Sequence, residues 1–315
     1  MPWRVSPVRF RRTTRRRSST WSAPTRLVVE PVTVFVARQL ALRPFPHGTQ
    51  TPGPLGDHIM GMAVLGWLTE LPVATWGEEW MREGFLRATF SRAIAADQIL
   101  DVDIQSAPNR VSTTWSDAHG RVCATGEASL TATPASSITT AFDGGADHVP
   151  LVAVDDTVSR SDLLAPRMAD LDGATMPPLS FRFDAARDLA FLEGQPDAPH
   201  WRERGWAHPA WLGTASNAVI KGNIDFDSRA DSPGRWLQVS ADIGLVEPII
   251  DGDEVELRSR IRRITRRGRQ NQHLVAHLDC TYRVGTRVAA HLRNSFVFAT
   301  VEPSTFDTST GPPHP

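Results

Sequence analysis

A chain of 315 residues with 41% hydrophobic side chains is long enough for two ordinary domains and a sizeable core. Its formal charge of −1 leaves no overall attraction to nucleic acid or an anionic membrane, so neither is an expected partner. No run approaches the roughly 18 apolar residues that a membrane-spanning helix requires.

The first seventeen residues carry seven arginines and no acid, with no apolar segment behind them to serve as a signal-peptide core. Ordinary secretion is therefore not expected. The leader reads as an extension outside the fold, with a transit peptide or a nucleic-acid arm as alternatives. "TRLVVEPVTVFV" then alternates as a strand, or as a strand running into a helix, and the proline- and glycine-dense stretch Arg43 to Asp57 is loop. "HIMGMAVLGWLTEL" is apolar nearly all round, which predicts a helix wrapped on several sides by other elements. Period-two segments follow: "FLRATFSRAIAADQILDVDIQ", "RVSTTWSD" and "RVCATGEASLTAT".

Residues from about 136 to 178 turn small and polar, and the same order of elements then returns. "LSFRFDAARDLAFLEG" begins it, a helix is predicted over Pro209 to Ile224, and three long strands follow. Two echoes mark a duplication. Phe90, Ile94, Asp97 and Ile99 have the spacing of Val246, Ile250, Asp253 and Val255, and "GRVCATG" from Gly120 answers "GTRVAAH" from Gly285. The expected organisation is a leader over 1–26, a first unit over 27–145, a connection over 146–178, a second unit over 179–302 and a tail over 303–315. Cys123 and Cys280 lie far apart in apolar strands, which predicts two buried thiols and a reducing cytoplasm.

A long helix followed by a curved antiparallel sheet, twice over, resembles the double hotdog proteins, an α+β fold, and among them the MaoC-like acyl dehydratases and (R)-specific enoyl-CoA hydratases. That family's loop S-G-D-x-N-P-x-H, just ahead of the helix, holds its catalytic Asp and His. "EGQPDAPH" stands in the corresponding place, where Gly194 matches the glycine, His200 matches the histidine and Gln195 replaces the acid. "HPAWLG", His208 to Gly213, is similar to the H-P-A-x-L-D of polyketide synthase dehydratase domains, with Gly213 in place of the Asp. "DHIMGM" from Asp57 is similar to their first-half histidine motif, with its glycine one position early.

The resemblance implies an acyl thioester of coenzyme A or an acyl carrier protein as ligand, no further cofactor, and a homodimer. Water addition or elimination beside a thioester needs a base, an acid and donors for the developing enolate. His200 is the leading acid/base candidate, because an unperturbed imidazole titrates near ~6.5. Asp197 could replace the missing carboxylate or merely shape a turn with its own backbone, and Gln195 could orient water without taking a proton. His58 is a further catalytic candidate, although Asp57 beside it would serve equally as a helix N-cap. The helix starts near Asp57 and His208 could hold the thioester oxygen. Gly194, His208, Trp201, Trp206 and Asn217 complete the substrate-binding set. The tryptophans, with Trp211, read either as an acyl tunnel or as packing, and Asn217 reads alternatively as a satisfied core amide. The seven arginines between Arg258 and Gln270 suit a phosphate clamp, a carrier-protein contact or a charged sheet edge. No phosphate loop, metal-ligand spacing or nucleophile elbow is present in the sequence. The expected function is hydratase or dehydratase action on a 3-hydroxyacyl or 2-enoyl thioester; the alternatives are a thioesterase and a silent acyl-binding partner subunit.

Overall fold

The computed structural model describes residues 27–28, 32–36, 61–94, 98–107, 109–130, 171–192, 197–223, 236–267 and 273–299. The leader and the tail lie outside them. The first unit contributes two short strands, β1 (Leu27–Val28) and β2 (Val32–Val36). Three short helices follow: α1 (Gly61–Leu68), α2 (Glu70–Trp76) and α3 (Glu78–Glu83). Four strands then complete the unit: β3 (Phe85–Phe90), β4 (Ile99–Ala107), β5 (Arg110–Asp117) and β6 (Val122–Ser129). The second unit runs β7 (Thr175–Arg182), α4 (Ala185–Asp188), a 3-10 turn, α5 (Ala198–Arg204) and α6 (Pro209–Asn223). It closes with β8 (Trp236–Leu245), β9 (Glu254–Arg267), β10 (His273–Val284) and β11 (Arg287–Ala299).

All eleven strands join one antiparallel sheet in the order β1-β4-β5-β6-β3-β8-β11-β10-β9-β7, with β2 also on β4. The order is the same read outward from the β3·β8 seam in either direction, since β6, β5 and β4 are matched by β11, β10 and β9. Each half wraps a helix. In α1, Met62 through Leu68 are all buried, and Ala210 through Val219 of α6 are buried likewise. The fold is a double hotdog. The two sequence echoes fall on equivalent pieces: the 90–99 and 246–255 segments are the β3–β4 and β8–β9 connections. Gly120 and Gly285 turn the β5–β6 and β10–β11 hairpins at φ 71° and 59°, conformations a Cβ would disfavour.

The seam is pinned electrostatically. Arg260, Asp279, Arg293, Asp242, Arg87 and Glu127 stand opposite one another on six successive strands, so a row of alternating charge crosses both units. Its centre is a two-pronged bond from Arg87 to Asp242, at 3.0 and 3.1 Å, across β3·β8. This row also corrects the edge reading of the arginine run. β9 is an inner strand between β10 and β7, and Arg260 and Arg262 turn toward the buried carboxylate of Asp279, at 3.8 and 3.6 Å.

Two further expectations change. The single helix predicted to start near His58 is broken at Thr69: Pro72 has no N–H to give the Leu68 carbonyl, and so the chain restarts as α2. Strand β7 begins at Thr175, inside the segment expected as connection. Cys123 and Cys280 are buried free thiols. No helix among the described residues is long and apolar enough to cross a membrane.

Met62 lies against Gly213 while Thr69, about two turns on, meets His208, so α1 and α6 run antiparallel in contact. A Cβ on Gly213 would come within 1.9 Å of the Met62 sulfur, so an aspartate here, as in the H-P-A-x-L-D pattern, would require the Met62 side chain to move. Gly213→Ala is expected to destabilise the protein by about 1–3 kcal/mol in denaturant unfolding. A Met62→Ala background should absorb most of that cost, and simple additivity of the two changes would show that this contact is not the cause.

Candidate functional site

The break at Thr69 matters because of what faces it. Asp197 precedes α5 and His208 precedes α6, and both side chains turn toward Thr69 from the second unit. The Thr69 hydroxyl donates to Asp197 Oδ2 at 2.6 Å, has the Gly66 carbonyl at 2.6 Å, and lies 3.0 Å from His208 Nε2. Trp201 Nε1 donates to the same carboxylate oxygen at 2.9 Å, and His208 Nε2 is 3.5 Å from it. The whole group is sealed: Thr69, His208 and Trp201 are 0% exposed and Asp197 3%.

Hydrogen-bond direction fixes the histidine tautomer. Nδ1 of His208 accepts the Ala210 N–H at 3.0 Å, so the ring proton sits on Nε2 and points at Thr69 and Asp197. His208 is therefore a donor in this arrangement and not a free base. The start of α6 is also spent. Pro209 has no N–H, Ala210 bonds the imidazole, and Trp211 and Leu212 both donate to the His208 carbonyl. The expectation that this helix start holds a thioester oxygen is corrected, because each of its first donors has a partner.

Asp197 turns the chain through its backbone, its carbonyl accepting the His200 N–H at 3.1 Å, while its side chain makes no cap bond to α5. Burial alone would raise its carboxyl. Hydrogen bonds from His208, Thr69 and Trp201 outweigh burial and hold the group below the usual carboxylate range. Its second oxygen, Oδ1, is buried and has no partner among the described residues. Beside it stands Glu70, the first residue of α2, half-buried. Burial, and then the charge of Asp197, push the Glu70 carboxyl from the usual 4.5 to about 7. The site thus holds two carboxylates with opposed protonation preferences, the arrangement that separates an acid/base group from a fixed charge.

The predicted residues fare unevenly. Asp197, His208 and Trp201 come together. His200 is exposed on α5 and sits outside the sealed cluster, which corrects its place as leading acid/base candidate. Gly194, Gln195 and His58 lie outside the described residues. The tunnel reading of Trp201 and Trp206 gives way to packing. Trp201 meets His208 and Trp80 edge-on with centroids at 4.9 and 6.5 Å, and Trp206 lies under the Arg82 guanidinium at 4.9 Å. Trp211 packs edge-on against Phe181 and Phe183. Asn217 is 4% exposed, and its Oδ1 has no partner among the described residues, so it is not a satisfied core amide. Sequence reasoning missed Thr69 and Glu70. In sequence they read as part of one continuous helix, and the 128 residues between Thr69 and Asp197 hide their contact. Among the described residues no group of three or more His, Cys, Asp or Glu is arranged to hold a metal ion.

Several solved structures are similar to this chain over most of its length. A MaoC domain protein dehydratase from Chloroflexus aurantiacus J-10-fl is 11% identical over 78% of this chain and 83% of its own, with a TM-score of 0.49. A conserved hypothetical protein of Mycobacterium tuberculosis, described as having a double hotdog fold, is 18% identical over 79% and 83%, also at 0.49. A monomeric dehydratase domain from a trans AT polyketide synthase split module is 10% identical over 77% and 90%, at 0.44. No protein-family model and no curated relative matches the chain. At such identities the likeness concerns the fold, and the chemistry rests on the residues above.

The two carboxylates give stability opposite pH dependences. Glu70, raised in the folded protein, contributes stability that is complete below about 4.5 and is lost as pH rises through about 7. Asp197, lowered, contributes stability present above the ordinary carboxylate range and lost as pH falls below it. Denaturant midpoints measured against pH should therefore fall on both sides. Glu70→Gln is expected to flatten the neutral limb only, and Asp197→Asn to weaken the acid limb while costing roughly 1–3 kcal/mol. An unchanged neutral limb in Glu70→Gln would refute the assignment.

Proposed function

We propose that the protein is a hydratase or dehydratase acting on a 2-enoyl or 3-hydroxyacyl thioester of coenzyme A or an acyl carrier protein. The observation that carries this reading is the pair Glu70 and Asp197, a proton-carrying carboxyl of pKa about 7 held beside a buried charged one. In elimination, the Glu70 carboxylate takes the proton from the carbon next to the thioester carbonyl. The C–O bond to the hydroxyl breaks as the C=C bond forms, and the same proton passes from Glu70 to the departing hydroxyl as water leaves. Hydration is the reverse. A single group suffices because its protonation state is restored at the end of each cycle.

Asp197 is a positioning residue. Its charge adds to burial, the larger cause, in keeping Glu70 protonatable at neutral pH, and its bonds to Thr69, Trp201 and His208 hold the α1–α2 break against the start of α6. A second reading, ligand binding without turnover, is favoured by the saturated donors at the start of α6, which leave the enolate oxygen without a holder there.

Incubation with crotonyl-CoA separates these readings. A hydratase lowers the enoyl absorbance without releasing thiol, a thioesterase releases thiol, and a binding protein does neither while acyl-CoA raises its thermal stability. For the hydratase, Glu70→Gln is expected to lower kcat by 10² or more, within the usual range for general acid/base groups. Asp197→Asn should displace the pH profile toward acid, because the charge that raises Glu70 is gone. A Glu70→Gln enzyme of undiminished rate would end the proposal.

A further inference from the structure

The two units are related by an approximate twofold through the α1·α6 contact, and the cluster around Thr69 therefore has a counterpart at the other end of α1. There the side chains are amides. The Ser216 hydroxyl donates to the Gly213 carbonyl at 2.7 Å, and Asn294 Nδ2 donates to the Ser216 oxygen at 2.7 Å. Gln238 Nε2 in turn donates to Asn294 Oδ1 at 2.5 Å. Each bond dictates the next. Because Ser216 spends its only proton on Gly213, Asn294 must present its NH2 to Ser216 and its oxygen to Gln238, which turns Gln238 Oε1 away from the chain of bonds and toward the start of α1.

That oxygen lies against Gly61, where an added Cβ would come within 2.5 Å of it, and it is buried with no partner among the described residues. Asn217 sits on the same stripe of α6 as Gly213, one turn further on. Since α1 and α6 are antiparallel, it faces the same start of α1. It is 4% exposed, and its Oδ1 is likewise buried and unpartnered among the described residues. Two buried acceptors without donors are costly, by about 1–3 kcal/mol each, and such groups persist where a ligand completes them.

We infer that this amide cluster is a second ligand subsite, one that takes a hydrogen-bond donor, specifically a hydroxyl group carried far along the acyl chain. The inference rests on the proposed thioester chemistry at Glu70. Both unpartnered atoms accept, so the single proton of a hydroxyl satisfies one of them, where a keto oxygen or a methyl satisfies neither. From Thr69 to Gly61 is eight residues of helix, about 12 Å at 1.5 Å per residue. An extended chain advances about 1.3 Å per bond, as a backbone does over the three bonds between α-carbons, so the hydroxyl belongs about nine bonds from the reacting carbons. The substrate class is thus an ω- or near-ω-hydroxylated medium-chain enoyl thioester, not a plain fatty one.

The test compares trans-2-dodecenoyl-CoA with its 12-hydroxy counterpart on the full-length protein, by calorimetric titration, in the wild type and in Asn217→Leu. The wild type is expected to bind the hydroxylated ligand about tenfold more tightly, the worth of one buried hydrogen bond otherwise left unmade. Asn217→Leu should abolish that preference and raise the thermal midpoint of the ligand-free protein, because it removes an unmet polar atom. A purely structural asparagine would instead lose stability on this change. Equal binding of the two ligands by the wild type overturns the subsite and leaves the proposed function standing. Asn217→Leu weakening both ligands alike does the same, placing the donor on the pantetheine arm. If neither ligand binds, the thioester reading itself falls, and the subsite with it.

Discussion

One buried carboxylate organises the centre of this protein. Asp197 is nearly sealed from solvent, and a charge in that position is tolerated only with hydrogen bonds and partners around it. Those partners come from three places: Thr69 at the helix break of the first unit, Trp201 on α5, and His208 at the head of α6. Satisfying one charge therefore sets the angle at which the first-unit helices meet the second-unit helices. The same charge adds to the effect of burial in raising the carboxyl of Glu70, the first residue of α2.

Duplication supplied the frame, and divergence of the two units supplied the site. The halves share strand order and hairpin geometry, yet their helices differ. The first unit's helix is interrupted at Thr69 by the demand of Pro72, while α6 runs on unbroken to Asn223. Where the helices touch, Gly213 admits the Met62 side chain at the position where similar motifs carry their acid. The carboxylate beside His208 comes instead from Asp197, sixteen positions before Gly213 in sequence and just ahead of α5. One end of the α1·α6 pair is consequently ionic and the other neutral.

The fold was largely legible from the chain. Alternation in "RVSTTWSD" and the apolar run from Gly61 to Leu68 have local causes, strand pleat and helix period, that any window of residues displays. The echo of residues 90–99 in 246–255 disclosed the duplication, because equivalent connections must turn the same corner. The site was legible only in part. His208 stood out through its motif and Asp197 as one possible carboxylate. His200 matched the motif better than either, yet α5 turns it outward. Helix phase around a seven-residue helix depends on where the helix starts, and the residues just ahead of it carry no signal strong enough to fix that start.

By itself, then, the amino-acid order determined the elements, their repetition and the chemical types available near the second central helix, since these follow from short-range sterics and hydrophobic period. Only the tertiary structure decided which acid meets which histidine, that Arg260 and Arg262 of β9 turn toward Asp279 while Arg263 and Arg266 stay exposed, and that burial and a neighbouring charge raise the Glu70 carboxyl to about 7. Each of those outcomes depends on burial and on charges that lie tens to more than a hundred residues away in sequence. Desolvation and Coulomb energy follow distance through space, and distance along the chain does not encode it.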